Sequence, residues 1–130
     1  ASEIISTYTE ENYAANNSLY ILSLKNSSKE STDKLKYTNG ILNSKLISYF
    51  ASSTNVIRGG NGKTPQIKIS DLKRIPIALA NNEDFNKVID LTDKLQKQFN
   101  EDDYSKLNKL VYKIYGISKE QQEYIEKAMS

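Results

Sequence analysis

The N-terminal and C-terminal parts of the chain follow different hydrophobic rhythms. Ser18-Leu19-Tyr20-Ile21-Leu22-Ser23-Leu24 is a short, nearly continuous apolar run without helix caps. Such a run predicts a strand buried on both faces. Lys25-Asn26-Ser27-Ser28-Lys29 ends it with turn-forming residues. Further along, Gln66-Ile67-Lys68-Ile69 alternates polar and apolar, the signature of a half-exposed strand. Between these strands lies a helical pattern. Ser31 or Thr32 can cap it, and Leu35, Thr38, Leu42, Leu46, Tyr49 and Phe50 recur at three- and four-residue steps. The pattern dissolves at Ala51-Ser52-Ser53-Thr54-Asn55. Gly40 inside this helix costs roughly 1 kcal/mol relative to alanine, so its presence predicts the close approach of another backbone.

From Asn82 onward the rhythm is helical to the end. Phe85, Val88, Ile89, Thr92, Leu95 and Phe99 mark the buried face of a helix capped by Asn82 or its neighbour. Tyr104, Leu107, Leu110, Val111 and Ile114 mark a second, closed by Gly116 as a C-cap residue. Ser118-Lys119-Glu120-Gln121 is a capping box for a third, carrying Tyr124, Ile125 and Ala128. The expected class is therefore α+β. A small N-terminal β-sheet region with one packed helix precedes a C-terminal helical segment of about three helices. Its 130 residues fit a single domain, with 1–80 as the β-rich part and 81–130 as a helical tail. The stripes of that tail close the core in the simplest account. An exposed Leu91 at their border would instead point to a missing partner face.

Composition removes several chemistries. There is no histidine, the commonest general base and metal ligand, and no cysteine, so thiolate sites and disulfides are excluded. The absence of cysteine fits a reducing cytoplasm. No apolar run approaches the ~18 residues of a membrane helix, and no membrane partner is expected. Glu101-Asp102-Asp103 is a carboxylate cluster, but acids at a helix start are favoured by the helix dipole, and no metal site is expected there. Neither a Pro-Asp…Glu-x-Lys nuclease pattern nor an Asn/Asp-Pro-Pro-Tyr/Phe methyltransferase motif occurs, and the only prolines are Pro65 and Pro76. No catalytic residue can be assigned.

Charge adds a positive argument. Residues 20–75 hold ten basic groups against three acids, +7, while 1–19 carry −3 and 76–130 carry eight lysines against ten acids, −2. A basic centre between acidic flanks is what a phosphate-facing surface looks like, although lysines also decorate any solvated face. The centre contains a glycine-rich stretch, Arg58-Gly59-Gly60-Asn61-Gly62-Lys63-Thr64-Pro65, read as a surface loop. It is not a P-loop. That motif needs a glycine where Ile57 stands and a helix where Pro65 stands. Arginine, asparagine and glutamine read base edges, whereas lysine mainly contacts phosphate. Arg58, Asn61, Lys63 and Gln66 are therefore candidates for bases or a groove, and Lys25, Lys29, Lys68 and Lys73 for phosphates. Tyr8, Tyr13 and Tyr20 among Asn12, Asn16 and Asn17 are open to a base-stacking role or to closing a sheet edge.

Four segments in order carry a family resemblance: Asn17-Ser18-Leu19-Tyr20-Ile21-Leu22, Gly40-Ile41-Leu42-Asn43-Ser44-Lys45-Leu46, the stretch from Ile67 to Ile77 ending Leu72-Lys73-Arg74-Ile75-Pro76-Ile77, and Leu110-Val111-Tyr112-Lys113-Ile114-Tyr115-Gly116-Ile117-Ser118-Lys119-Glu120. The chain resembles the TaqI-like C-terminal specificity domain of adenine-N6 DNA methyltransferases, including those fused to an endonuclease. The resemblance implies a non-catalytic fragment of a bacterial restriction–modification protein that recognises double-stranded DNA. It also implies an upstream methyltransferase domain as partner, with S-adenosylmethionine bound there and no cofactor in this fragment. A protein–protein docking module, joining the methyltransferase body or another subunit, is the alternative. A concave basic groove beside the glycine-rich loop would separate the two.

Overall fold

The computed structural model describes residues 29–53, 57–60, 63–67 and 74–130. Among the described residues, five helices build the body: α1 (Lys29–Leu42), α2 (Lys45–Ser53), α3 (Asn82–Lys97), α4 (Glu101–Ile114) and α5 (Lys119–Ala128). Between α2 and α3, the strands β1 (Ile57–Gly60) and β2 (Lys63–Ile67) pair antiparallel as a two-stranded ribbon. The expected α+β class is thereby corrected to an all-helical body. Tyr37, Ile41, Ile47, Val88, Leu107 and Val111 centre its core, and all of them lie on helices. Among the described residues α1 packs on α3, and α2 on α4 and α5. The strand expected at 18–24 falls outside the described residues.

The one helix expected between the strands is two. Ser44, fully buried, divides them. Its hydroxyl donates to the Ile41 carbonyl at 2.6 Å and accepts from the Ile47 N–H at 3.4 Å, serving the end of α1 and the start of α2 together. The buried Asn108 of α4 adds a second cap, its Oδ1 accepting from the Lys45 N–H at 2.8 Å. Periodicity alone missed this break, because Leu42 and Leu46 are both buried and the apolar stripe runs straight through it.

Gly40 does mark a close approach, but by side chains of α3 rather than by the backbone expected. A Cβ built there would lie 2.8 Å from Val88 Cγ1 and closer still to Thr92 Oγ1, so its absence lets α1 seat on α3. Tyr37 stacks on Phe85 in the same contact, ring centroids 4.9 Å apart. The helices α3 and α4, joined by residues 98–100, run antiparallel. Asp84 in the first turn of α3 meets Lys113 in the last turn of α4 at 3.3 Å. Each charge also lies at the end of its helix that the dipole favours.

The caps of the tail were legible. Asn81 caps α3 by accepting from the Asp84 N–H, and the capping box of Ser118 and Gln121 is formed on α5. The helix α4 ends at Ile114, with Gly116 beyond it at φ 66°. Ile117 N–H reaches Tyr112 O at 2.9 Å and Gly116 N–H reaches Lys113 O at 3.1 Å, a Schellman motif. Two details differ. Phe99 lies past the end of α3 and is 60% exposed, tilted against Tyr104 rather than buried. Leu91 is half-buried against the core, so it marks no missing partner face.

Candidate nucleic-acid interface

The glycine-rich stretch is a β-hairpin, not the open loop that its composition predicts. Its register pairs Ile57 with Ile67, Arg58 with Gln66 and Gly60 with Lys63, with an irregularity between Arg58 and Gly60. Two residues, Asn61-Gly62, separate the strands. Asn-Gly between extended segments is the strongest short-range hairpin signal, because both residues tolerate the positive φ of a type I′ turn. That signal was available in the sequence. Pro65 lies within β2, in the part of the ladder where the register is irregular. No helix follows Lys63, so the phosphate cradle of a P-loop is not built here.

The register gathers some of the sequence-derived candidates and separates others. Arg58 and Gln66 stand directly opposite one another in the ladder. Lys63 lies three residues before Gln66 on the same strand, paired with Gly60. Lys29 begins α1. Asn61, Lys25, Lys68 and Lys73 fall outside the described residues.

A set of polar contacts fixes α2, the helix that leads into the hairpin, against α4 and α5. Lys45 at the start of α2 pairs with Glu126 of α5 at 2.7 Å, and Tyr112 donates to the same carboxylate at 3.1 Å. The Glu126 hydrogen bond raises the Lys45 pKa, against the lowering effect of burial. Burial first, then the Glu126 charge, drives the Tyr112 phenol well above its ordinary range. Tyr104 donates to the Asn43 carbonyl at 3.2 Å, closing the α1–α2 junction from the α4 side. The Leu-Asn-Ser signature is thus explained by a helix junction whose polar groups are satisfied from α4.

A second set holds the extended segment Pro76–Ala78. Tyr115 Oη donates to the Pro76 carbonyl at 2.6 Å and accepts from the Ala78 N–H at 3.0 Å, while Tyr37 Oη donates to the Ala78 carbonyl at 2.6 Å. Burial, then Tyr115 and Asp84, pushes the Tyr37 pKa up to about 12. Burial also raises Tyr115, against the bond from Ala78. All three tyrosines are therefore held protonated as donors, the opposite of an activated base. Glu101, Asp102 and Asp103 occupy the first turn of α4 under the Asn100 cap. Among the described residues no group of three or more acidic side chains gathers as an ion site, and no helix is long and apolar enough to cross a membrane. What this arrangement offers is a scaffold carrying a ribbon.

Residues 1–77 match the TaqI-like C-terminal specificity domain. The chain belongs to this family. No curated protein and no solved structure matches it. The specificity-domain match takes in α1, α2 and the hairpin and ends inside the Pro76–Ala78 segment, where Tyr37 and Tyr115 hold the chain. The helices α3 to α5 follow the matched residues but share their core, since α1 packs on α3 and α2 on α4 and α5.

Proposed function

We propose that this chain is the DNA target-recognition module of a restriction–modification protein, non-catalytic by itself. The observation that carries the reading is membership of the TaqI-like specificity family over residues 1–77, a stretch that includes the hairpin with Arg58 opposite Gln66. Arginine grips guanine O6 and N7 bidentately, and glutamine does the same for adenine N6 and N7. A two-stranded ribbon is one of the shapes that the major groove of a duplex admits. In this reading Arg58 and Gln66 contact base edges, with Asn61 and Lys63 beside them. Lys25, Lys29, Lys68 and Lys73 contribute phosphate contacts that position the module and make its affinity salt-dependent. Catalysis belongs to an upstream adenine-N6 methyltransferase domain of the parent protein, where S-adenosylmethionine is bound. The parent is bacterial and cytoplasmic.

Selection from a randomised duplex pool tests the proposal. The chain is expected to enrich one short motif, and Arg58→Ala to relax it at one position, since a bidentate contact discriminates by about 1–3 kcal/mol. Binding without any enriched motif would refute sequence recognition. Retention of a purified methyltransferase body without DNA binding would establish the docking module instead.

A further inference from the structure

The tail that the sequence counts as net acidic contains a strongly basic groove. Along the seam of α3 and α4, Lys87 and Lys94 line one wall and Lys106, Lys109 and Lys113 the other, around an open volume of about 470 Å³. Five of the tail's eight lysines are gathered there, with Asp90 the single acid among the lining residues. The floor is Leu91 and Leu110, both half-buried against the core, so the groove offers charge rather than a free apolar face. Lys94, Lys106 and Lys109 are exposed, and their side chains make no hydrogen bond or ion pair among the described residues. Lys87 and Lys113 pair with Glu83 and Asp84, yet their side chains stay 55% and 66% exposed. The Lys87–Glu83 pair is exposed on both sides and easily shared with another anion, whereas Lys113 is held by the buried Asp84 carboxylate.

The spacing matches an extended polyanion. Lys87 and Lys94 lie seven residues apart, as do Lys106 and Lys113, which is about 10.5 Å along each helix at 1.5 Å per residue. Because α3 and α4 are antiparallel, the two rows run side by side as rails. One rail thus offers two lysines and the other three to successive phosphates of a strand. Five like charges held within one groove repel each other, and a polyphosphate track relieves that repulsion while releasing its own counterions.

We infer that the α3–α4 groove grips the phosphate backbone of duplex DNA and anchors the tail beside the site that the hairpin reads. The inference rests on the recognition reading above. Its test is fluorescence anisotropy of the whole chain with random-sequence duplex across a salt series. The triple variant Lys94→Gln, Lys106→Gln, Lys109→Gln is compared with Lys34→Gln, Lys119→Gln, Lys127→Gln, which removes the same charge from exposed positions elsewhere. All six side chains are outside the core, and circular dichroism checks the fold.

Each phosphate contact contributes about −0.9 to the slope of log affinity against log salt, so the groove triple is expected to flatten it by about 2.7. The control triple is expected to change it by less than about 1. Equal slopes for wild type and groove triple, with both binding, overturn the groove and leave the recognition reading standing. Failure of the wild type to bind duplex at low salt overturns both. Failure on duplex combined with lysine-dependent binding of polyglutamate reassigns the groove to an acidic protein partner.

Discussion

Gly40→Ala opposes two energies of known sign. Alanine favours a helix interior over glycine by about 1 kcal/mol, so at an exposed position the change stabilises. At Gly40 the new methyl group would stand 2.8 Å from Val88 Cγ1 and nearer still to Thr92 Oγ1. Neither neighbour can yield cheaply. Val88 is fully buried, and Thr92 is β-branched with its hydroxyl bonded to the Val88 carbonyl at 2.7 Å. Overpacking of this kind costs about 1–3 kcal/mol, and the clash here involves two atoms on one rigid helix, which puts it at the upper end. The net expectation is a loss of about 1–2 kcal/mol, or roughly 4–8 °C in Tm for a chain of this length. Thermal and urea unfolding measure it. A double-mutant cycle with Thr92→Ala, which removes the nearest obstacle, should return about 1 kcal/mol of coupling. A Tm that rises on Gly40→Ala, as helix propensity alone predicts, would refute the close-approach argument.

Three further outcomes follow from the same contacts. Asn108→Ala removes the buried acceptor of the Lys45 N–H at the start of α2 and is expected to cost about 1–3 kcal/mol, read by urea unfolding, whereas an exposed neighbour such as Lys109→Ala should cost under about 0.5. Gly116→Ala meets no atom within 4 Å and is penalised only by its φ of 66°, so it should cost about 1 kcal/mol and Gly116→Asn less; equal losses would contradict a purely conformational origin. Tyr37, raised to about 12 when folded, ionises first in the unfolded chain. The stability it contributes is therefore complete below about pH 10 and lost as pH climbs toward about 12. Tyr37→Phe should flatten the fall in stability across that window, and an unchanged slope in urea titrations at several alkaline pH values would rule this out.

Local signals survived the comparison between sequence and structure, and those that depend on pairing did not. Asn81, Ser118 with Gln121 and Gly116 perform their capping roles because each acts on backbone groups within a few residues. The break at Asn43–Ser44 escaped the periodicity, because a capped junction between two helices can keep the same apolar stripe. The hairpin was half legible. Its strands carry little hydrophobic alternation, but Asn61-Gly62 announced the turn. The α+β expectation gave the region before residue 80 a β-sheet with one packed helix, whereas the described part of it contributes two helices to a helical core.

By itself the sequence determined the family, the helical tail with its caps, the absence of histidine and cysteine chemistry, and the need for a close contact at Gly40. Each of these is written in residue types or in spacings of a few positions. Only the tertiary structure decided what Gly40 packs against, that Asn108 caps a helix 63 residues away in sequence, and that Arg58 stands opposite Gln66. It also decided where the charge lies. Summed along the chain, the tail has two more acids than lysines. Folded, its antiparallel helices turn five lysines toward one seam, because charge in three dimensions follows helix faces and not sequence windows.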